Sequence, residues 1–378
     1  MDTHHFDILV IGAGIAGATA AAHLATSHRV ALIEAEDAAG YHTTGRSAAL
    51  WVHNYGPPDV RLLTGLSRAF FEAPPAGFTE TPLMSRRPVA QIATRGQEAS
   101  LRSALATGIG LRRAEAAEME AWVPALRPDT LIGAAVENDA FDMDVAALHQ
   151  GFLHQHRAQG GVLALRSRTA TIERRAGLWH VAVTGGAMFR ATILVNAAGA
   201  WADEVAMQAG VAPIGLRPCR RTACIIDPAP YVVADWPMLI DVDDRFYVRP
   251  EARTRLLVSP ADATPTHPHD VRPDELDVAI AIDRMQAVLD IGVIRVERSW
   301  AGLRTFAPDG SLAFGFDRAA AGFFWFAGQG GYGIQTSPAA GRLAADLIAG
   351  RNPGPDFTDA GGAITQRIDP NRFAMLTA

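Results

Sequence analysis

Three glycines directly after the first apolar stretch limit what this chain can build more than any other feature. Residues 6–11 (Phe-Asp-Ile-Leu-Val-Ile) form an apolar run, and Gly12, Gly14 and Gly17 follow at once. A second apolar run, residues 30–33, ends at Glu34. The order is strand, G-x-G-x-x-G turn, helix, strand and terminal acid, which is the spacing of a dinucleotide-binding βαβ unit. Gly12 allows the tight turn, Gly14 lets the backbone approach a pyrophosphate, and Gly17 lets the helix pack on the strand. Ile15 and Ala16 begin the helix, whose N-terminal amides face the phosphates. Glu34, with Ala35 beside it, is placed to accept hydrogen bonds from a ribose, and its charge disfavours a 2′-phosphate.

The 378 residues are enough for two domains with sizeable cores. A composition that is 49% hydrophobic and 20% charged excludes wholesale disorder. A net charge of −6 without a long basic run argues against nucleic acid as a partner. Cys219 and Cys224 are the only cysteines, too few for a disulfide framework or a Cys-based metal site, and no metal is expected. Residues 6–25 are apolar and long enough to span a bilayer, but glycines interrupt them at dinucleotide-binding spacing. Residues 1–5 supply no positive region of a signal peptide. A soluble, cytoplasmic protein without a transmembrane segment is expected, with peripheral contact at the inner face of the membrane left open.

Further along, Val60, Leu63, Leu66, Ala69 and Phe70 line one face of a helix over 58–73, ended by Pro74-Pro75. A strand is predicted at 88–94, two short helices within 96–120, and a helix at 145–158. Strands follow at 162–166, 169–174, 178–184 and 187–195, the last leading into small residues and a second helix-opening turn at 196–201. Residues 214–260 alternate as an antiparallel sheet with one exposed face, and 273–290 read as an amphipathic helix with Leu276, Ile280, Met285 and Leu289 inward. Residues 323–326 form a buried strand that runs into a third glycine-rich turn and a helix over 334–349. The fold class is α/β, α+β overall. A discontinuous, Rossmann-type nucleotide domain (1–80, 142–212 and 300–378) carries an inserted, mainly antiparallel β-sheet substrate domain (81–141 and 213–299). Two lobes that interleave in this way leave a cleft for a ligand.

Four segments are more restrictive than the glycine triplet: residues 40–49 (Gly-Tyr-His-Thr-Thr-Gly-Arg-Ser-Ala-Ala), 196–201 (Asn-Ala-Ala-Gly-Ala-Trp), 300–304 (Trp-Ala-Gly-Leu-Arg) and 328–336 (Gly-Gln-Gly-Gly-Tyr-Gly-Ile-Gln-Thr). Through them the chain resembles the FAD-dependent D-amino-acid oxidase superfamily over essentially its whole length, and within it the bacterial D-arginine dehydrogenases. The resemblance implies FAD rather than NAD, and oxidation of an amine carbon beside a carboxylate with oxygen or a quinone as electron acceptor. It places His42, Thr43, Gly45, Arg46, Ser47 and Ala48 against the cofactor. Ala198, Gly199, Trp201 and Gly302 join them, as do Gly330, Gly331, Tyr332, Gly333, Ile334, Gln335 and Thr336. A helix N-terminus near Gly330-Gly331 can aim amides at the flavin's carbonyl edge. Neither cysteine lies in that segment, so the FAD is expected to be non-covalent.

The resemblance also gives the substrate site. Arg221 and Arg304 hold the α-carboxylate, Tyr55 and Tyr247 add phenol donors, and Gly331 and Gln335 line the pocket beside the amine. Arginine suits that task because its fork binds a carboxylate bidentately. Arg220 competes with Arg221, since strand alternation lets only one face the site. A hydrogen that leaves as hydride requires no protein base, and none is assigned. Where D-arginine dehydrogenases carry an acid for the substrate guanidinium, this chain has Val89; Leu50 replaces a histidine of the active-site loop, Val52 a threonine, and Asp244 stands for a second glutamate. Oxidative deamination of apolar or aromatic D-amino acids, yielding a 2-oxo acid and ammonia, is therefore expected over that of D-arginine. Residues 50–57 form a candidate lid with Gly56 as hinge. A secondary amine, a glycine derivative or a 2-hydroxy acid would fit the same carboxylate clamp. A reading of another class is a non-catalytic flavin-binding subunit of a larger complex.

Overall fold

The N-terminal apolar run forms the strand Thr3–Ile11, which lies parallel between Met188–Asn196 and Val30–Ile33. The computed structural model describes residues 3–373. Ile8, Leu9, Val10 and Ile11 are buried on both faces, as a central parallel strand requires. Phe323–Ala327, buried at every residue, adds in parallel to Met188–Asn196. Ala313–Phe316 pairs with it in turn. Leu178–Val183, with Thr169–Arg175 beyond it, pairs with the first half of Met188–Asn196 on the edge whose second half takes Phe323–Ala327, and Val162–Ala164 closes on Val30–Ile33, giving eight strands from segments far apart in sequence. The helices Ile15–Leu24, Val145–Ala158 and Gly333–Ile348 cover one face, packing Ala18, Ala21, Leu148, Phe152, Leu343 and Ala344 into one core. The mixed α/β class matches the expectation.

The second sheet has nine strands. Arg217–Ile226 pairs antiparallel with Val296–Phe306 along its length, across residue 300. Met238–Asp241 runs parallel to Val89–Thr94, an exception within an otherwise antiparallel set. Between the helices Glu98–Thr107 and Ala116–Trp122 lies a strand, Arg112–Ala114, that the sequence reading missed. It also missed a three-stranded sheet of Leu50–Trp51, Phe141–Met143 and Met84–Arg86, whose strands are too short to show a period. The helix expected at 273–290 spans Glu275–Gln286, with Leu276 67% exposed. Asp277 explains the rotation. Arg220 Nη2 donates to its carboxylate at 2.7 Å, which turns position 277 toward the sheet and its neighbour away. Ala281 and Met285 are its buried residues, so Met285 is inward as expected, and Leu289, beyond the helix end, is buried as well. Among the described residues no helix is long and apolar enough to cross a membrane, because the glycine turn splits residues 6–25 into a strand and a helix.

His23, His149 and His156 sit in or beneath the helical layer, and burial holds each below the ordinary 6.5. Each donates to a carbonyl, Thr19 O at 2.9 Å, Ala13 O at 2.9 Å and Val162 O at 3.3 Å respectively. Below pH 6.5 the unfolded chain binds protons at these sites that the folded chain does not. Their contribution to stability is present above that pH and is lost as pH falls toward the folded values, by up to about 1.4 kcal/mol per pH unit for each group. A His156→Gln variant should therefore lose less Tm between pH 7 and pH 5 than the native chain does. Equal losses in the two proteins would refute this.

Candidate active site

A cleft of about 1820 Å³, including the solvent at its mouth, is lined by both sheets. At one end Gly12, Gly14, Ile15, Ala16, Glu34 and Ala35 line it. Gly12 has φ +98°, and a Cβ there would lie 2.6 Å from Ala197 O, so the first and second glycine-rich turns touch backbone to backbone. Glu34 accepts from Ala13 N at 2.8 Å and from Glu36 N at 3.1 Å, which fixes its carboxylate beside the turn. Ile15 N donates to Thr44 Oγ1 at 2.9 Å, so a threonine remote in sequence caps the helix.

The 40–49 segment forms the middle of the cleft. His42, Thr43, Arg46, Ser47 and Ala48 line it, with Ala198, Gly199 and Trp201 across from them. His42 pairs with Glu36 at 3.2 Å and lies 4.5 Å from the Trp201 ring, a wall rather than a catalytic base. Arg46 donates to Val271 O and Ala301 O, both at 3.1 Å, and pairs with Asp270. Thr43 Oγ1 donates to Leu303 O at 2.7 Å and Trp300 Nε1 to Arg46 O at 3.1 Å, so the strand Val296–Phe306 anchors the segment. Ser47 Oγ donates to Thr43 O at 2.8 Å. Gly302, Gly330, Gly331, Gly333 and Ile334 complete the wall toward the far end.

Arg221, Tyr247 and Arg304 line that far end. The ladder explains the meeting. Arg221 stands opposite Gly302 and Cys219 opposite Arg304, so the two arginines emerge two positions apart on adjacent strands. Arg220 faces the other way, onto Asp277 and Asp274, which decides between the two candidates for Arg221. Arg221 Nε donates to Asp262 O at 2.6 Å. Arg304 Nη1 donates to the Tyr55 hydroxyl at 2.9 Å, and among the described residues no carboxylate pairs with it. Burial opposes the Arg304 charge, but Tyr55, Tyr247 and Asp244 outweigh it and hold the group above its ordinary value. A Cβ on Gly331 would lie 2.9 Å from Arg304 Cζ, so only glycine leaves room for the guanidinium. Asp244 stands at φ +55°, within electrostatic reach of both arginines, and burial raises its carboxyl against their pull.

Leu50, Val52 and Val89 are buried and pack with Ala223, Met238 and Tyr247 in one apolar cluster, flanked by Tyr55 and Trp300. They form the wall behind the cleft rather than its lining. Other expected residues lie outside the cleft. A Cβ on Gly17 would fall 1.8 Å from Gly12 O, and one on Gly45 2.7 Å from Gly40 O, so these glycines close turns. Gln335 accepts from Val52 N at 3.3 Å and donates to Thr64 Oγ1 at 2.9 Å, tying three elements together. Thr336 Oγ1 donates to Tyr332 O, and Tyr332 stacks edge-on behind Tyr55 at 5.1 Å. Sequence reasoning missed Thr44, Arg168, Gln208 and Trp300 on the cleft wall. Thr44 and Trp300 stood within quoted segments, whereas Arg168 and Gln208 belong to no motif.

Residues 7–347 match the family described as FAD dependent oxidoreductase (DAO). The chain belongs to this family. It is 28% identical to the glycine oxidase of Geobacillus kaustophilus over 92% of this chain and 93% of that protein. The solved structure of that oxidase superposes with a TM-score of 0.81 at 22% identity, covering 96% of this chain and 99% of the other. L-proline dehydrogenase from P. horikoshii superposes with a TM-score of 0.80 at 20% identity over 99% of both chains.

This FAD-dependent oxidoreductase has the cradle its cofactor needs. The glycine turn, the N-terminus of Ile15–Leu24 and Glu34 all line the cleft, where the turn amides would hold a pyrophosphate and Glu34 a ribose. The N-terminus of Gly333–Ile348 points a second helix end at the same cleft. Neither cysteine lines the cleft, and both are buried. Bound FAD supplies a two-electron acceptor. Among the described residues no group of side chains could hold a metal ion.

Proposed function

We propose that the enzyme oxidises the α-carbon of an amino acid whose carboxylate is held by Arg304 and Arg221, with Tyr55 and Tyr247 as further donors. The observation that carries this is the half-buried Arg304 guanidinium, which lines the cleft, donates to a phenol and, among the described residues, forms no ion pair with an acid. A carboxylate ligand would satisfy it bidentately. Holding that group fixes the neighbouring carbon, so positioning is the main contribution of these side chains. The substrate loses a hydride and a proton and leaves as an imino acid, which water converts to a 2-oxo acid and ammonia. We place the substrate's side chain toward Leu50, Val52 and Val89, and assign it as apolar or aromatic, in the D configuration. Oxygen or a quinone completes the cycle.

Anaerobic loss of the oxidised-flavin absorbance tests the reading on a panel of D- and L-amino acids, glycine, sarcosine and L-proline. D-phenylalanine or D-leucine should react fastest. D-arginine should lag by at least about a hundredfold, because a guanidinium turned toward the apolar wall of Leu50, Val52 and Val89 would be desolvated without a partner. D-arginine ranking first would overturn the side-chain assignment. The likeness to glycine oxidase supports a second reading, a glycine derivative or secondary amine as substrate. Sarcosine or glycine ranking first would select it. Bleaching by no member of the panel would leave a passive flavin-binding subunit.

A further inference from the structure

The loop that carries Tyr55 is tied to a single buried carboxylate. Glu137 ends the strand Leu131–Glu137, stands opposite Val89 in the ladder and is 4% exposed. His53 N donates to its Oε1 at 2.7 Å. Asn54 N and Asn54 Nδ2 donate to its Oε2 at 3.4 Å and 2.8 Å. Asn54 exchanges a second pair of bonds with Ile109, Nδ2 to the carbonyl at 2.9 Å and Oδ1 from the amide at 2.7 Å. On the far side of the loop, Arg61 Nε donates to Gly56 O at 2.8 Å. Tyr55 lies between these ties, its hydroxyl on Arg304.

Glu137 lines no part of the cleft, and among the described residues no cation pairs with it. A buried carboxylate without a cation is costly, and an apolar residue opposite Val89 would extend the wall that Leu50 and Val52 begin. What the charge provides is an acceptor for three N–H groups at once. Burial pushes its carboxyl up, and the Asn54 and His53 donors pull it back toward the ionised form. A glutamine there would present an NH₂ group to N–H donors on one side.

We propose that Glu137 is a positioning residue for carboxylate binding, fixing His53 and Asn54 so that the Tyr55 hydroxyl meets Arg304. The proposal rests on the reading of Tyr55 and Arg304 as the carboxylate clamp. The test uses FAD-loaded Glu137→Gln and Asn54→Ala, the second altering only the loop side and serving if the first fails to fold. Benzoate is the carboxylate probe, read by its perturbation of the flavin absorbance, and amide hydrogen exchange reports on residues 50–57. Both variants should exchange at 53 and 54 at least about tenfold faster, and bind benzoate at least about tenfold more weakly, as expected for loss of hydrogen bonds to a charged group. FAD content should stay unchanged. Unaltered exchange in a folded variant, or a freed loop with native benzoate affinity, overturns the proposal. Tyr55→Phe in the same titration separates the two ideas. Native benzoate affinity in Tyr55→Phe sinks the clamp itself, whereas weakened affinity there with silent Glu137 and Asn54 variants sinks only the role of Glu137.

Discussion

Arg304→Ala should lower kcat/KM by about two to four orders of magnitude while moving Tm little. The loss follows from removing one partner of a desolvated, charge-assisted contact, about 2–5 kcal/mol, at about 1.4 kcal/mol per tenfold. A second part comes from geometry, since a substrate held only by Arg221 can pivot, and kcat falls together with the rise in KM. The stability effect should be small, because burial opposes the Arg304 charge while Tyr55, Tyr247 and Asp244 hold it, and the Tyr55 hydroxyl is its hydrogen-bond partner. Arg304→Lys should recover part of the charge and little of the bidentate fit. Arg220→Ala is the matched control. It breaks ion pairs to Asp277 and Asp274 outside the cleft, so Tm should fall and KM should not move. Steady-state kinetics with thermal melts on the three variants check all of this. An Arg304→Ala enzyme within threefold of native kcat/KM would remove the clamp.

The parts legible in the sequence are those whose signal is local. Strict glycine spacing located the turn at Gly12, and helical periodicity placed 145–158 on the helix Val145–Ala158. The residues that needed tertiary structure are those defined by register. Whether Arg220 or Arg221 faces the cleft depends on pairing with Val296–Phe306, a strand far off in sequence, and alternation alone cannot say which parity is inward. Leu276 failed for a related reason, because an ion pair from the sheet set the rotation of its helix. Glu137 gave no signal, since an acid at a strand end reads as a surface residue until the loop that covers it is known. Gln335 and Thr336 belong to a motif that runs continuously along a helix, but only one side of a helix faces a cleft, and neither residue lines it.

Gly12→Ala should abolish stable FAD binding. At φ +98° an alanine is strained by about 1–3 kcal/mol. The added methyl also meets Ala197 O at 2.6 Å, and that carbonyl belongs to the turn after Met188–Asn196, so it has no flexible side chain to move aside. Overpacking of this kind adds about 1–3 kcal/mol. The two strands concerned are neighbours in the parallel sheet, and the turns they end in touch and both line the cleft. Relief by pushing them apart therefore opens the pyrophosphate site itself. Adding the two terms gives about 2–6 kcal/mol, a loss of FAD affinity of roughly thirtyfold to over ten-thousandfold. A Gly14→Ala variant should be milder, because its Cβ would meet only the Thr44 hydroxyl, at 3.2 Å, and no positive φ opposes it. Flavin content after gel filtration, together with titration of FAD into the stripped proteins, orders the two. Retention of native FAD affinity by Gly12→Ala would mean that the turn yields without disturbing the cleft, and that the contact with Ala197 does not shape the site.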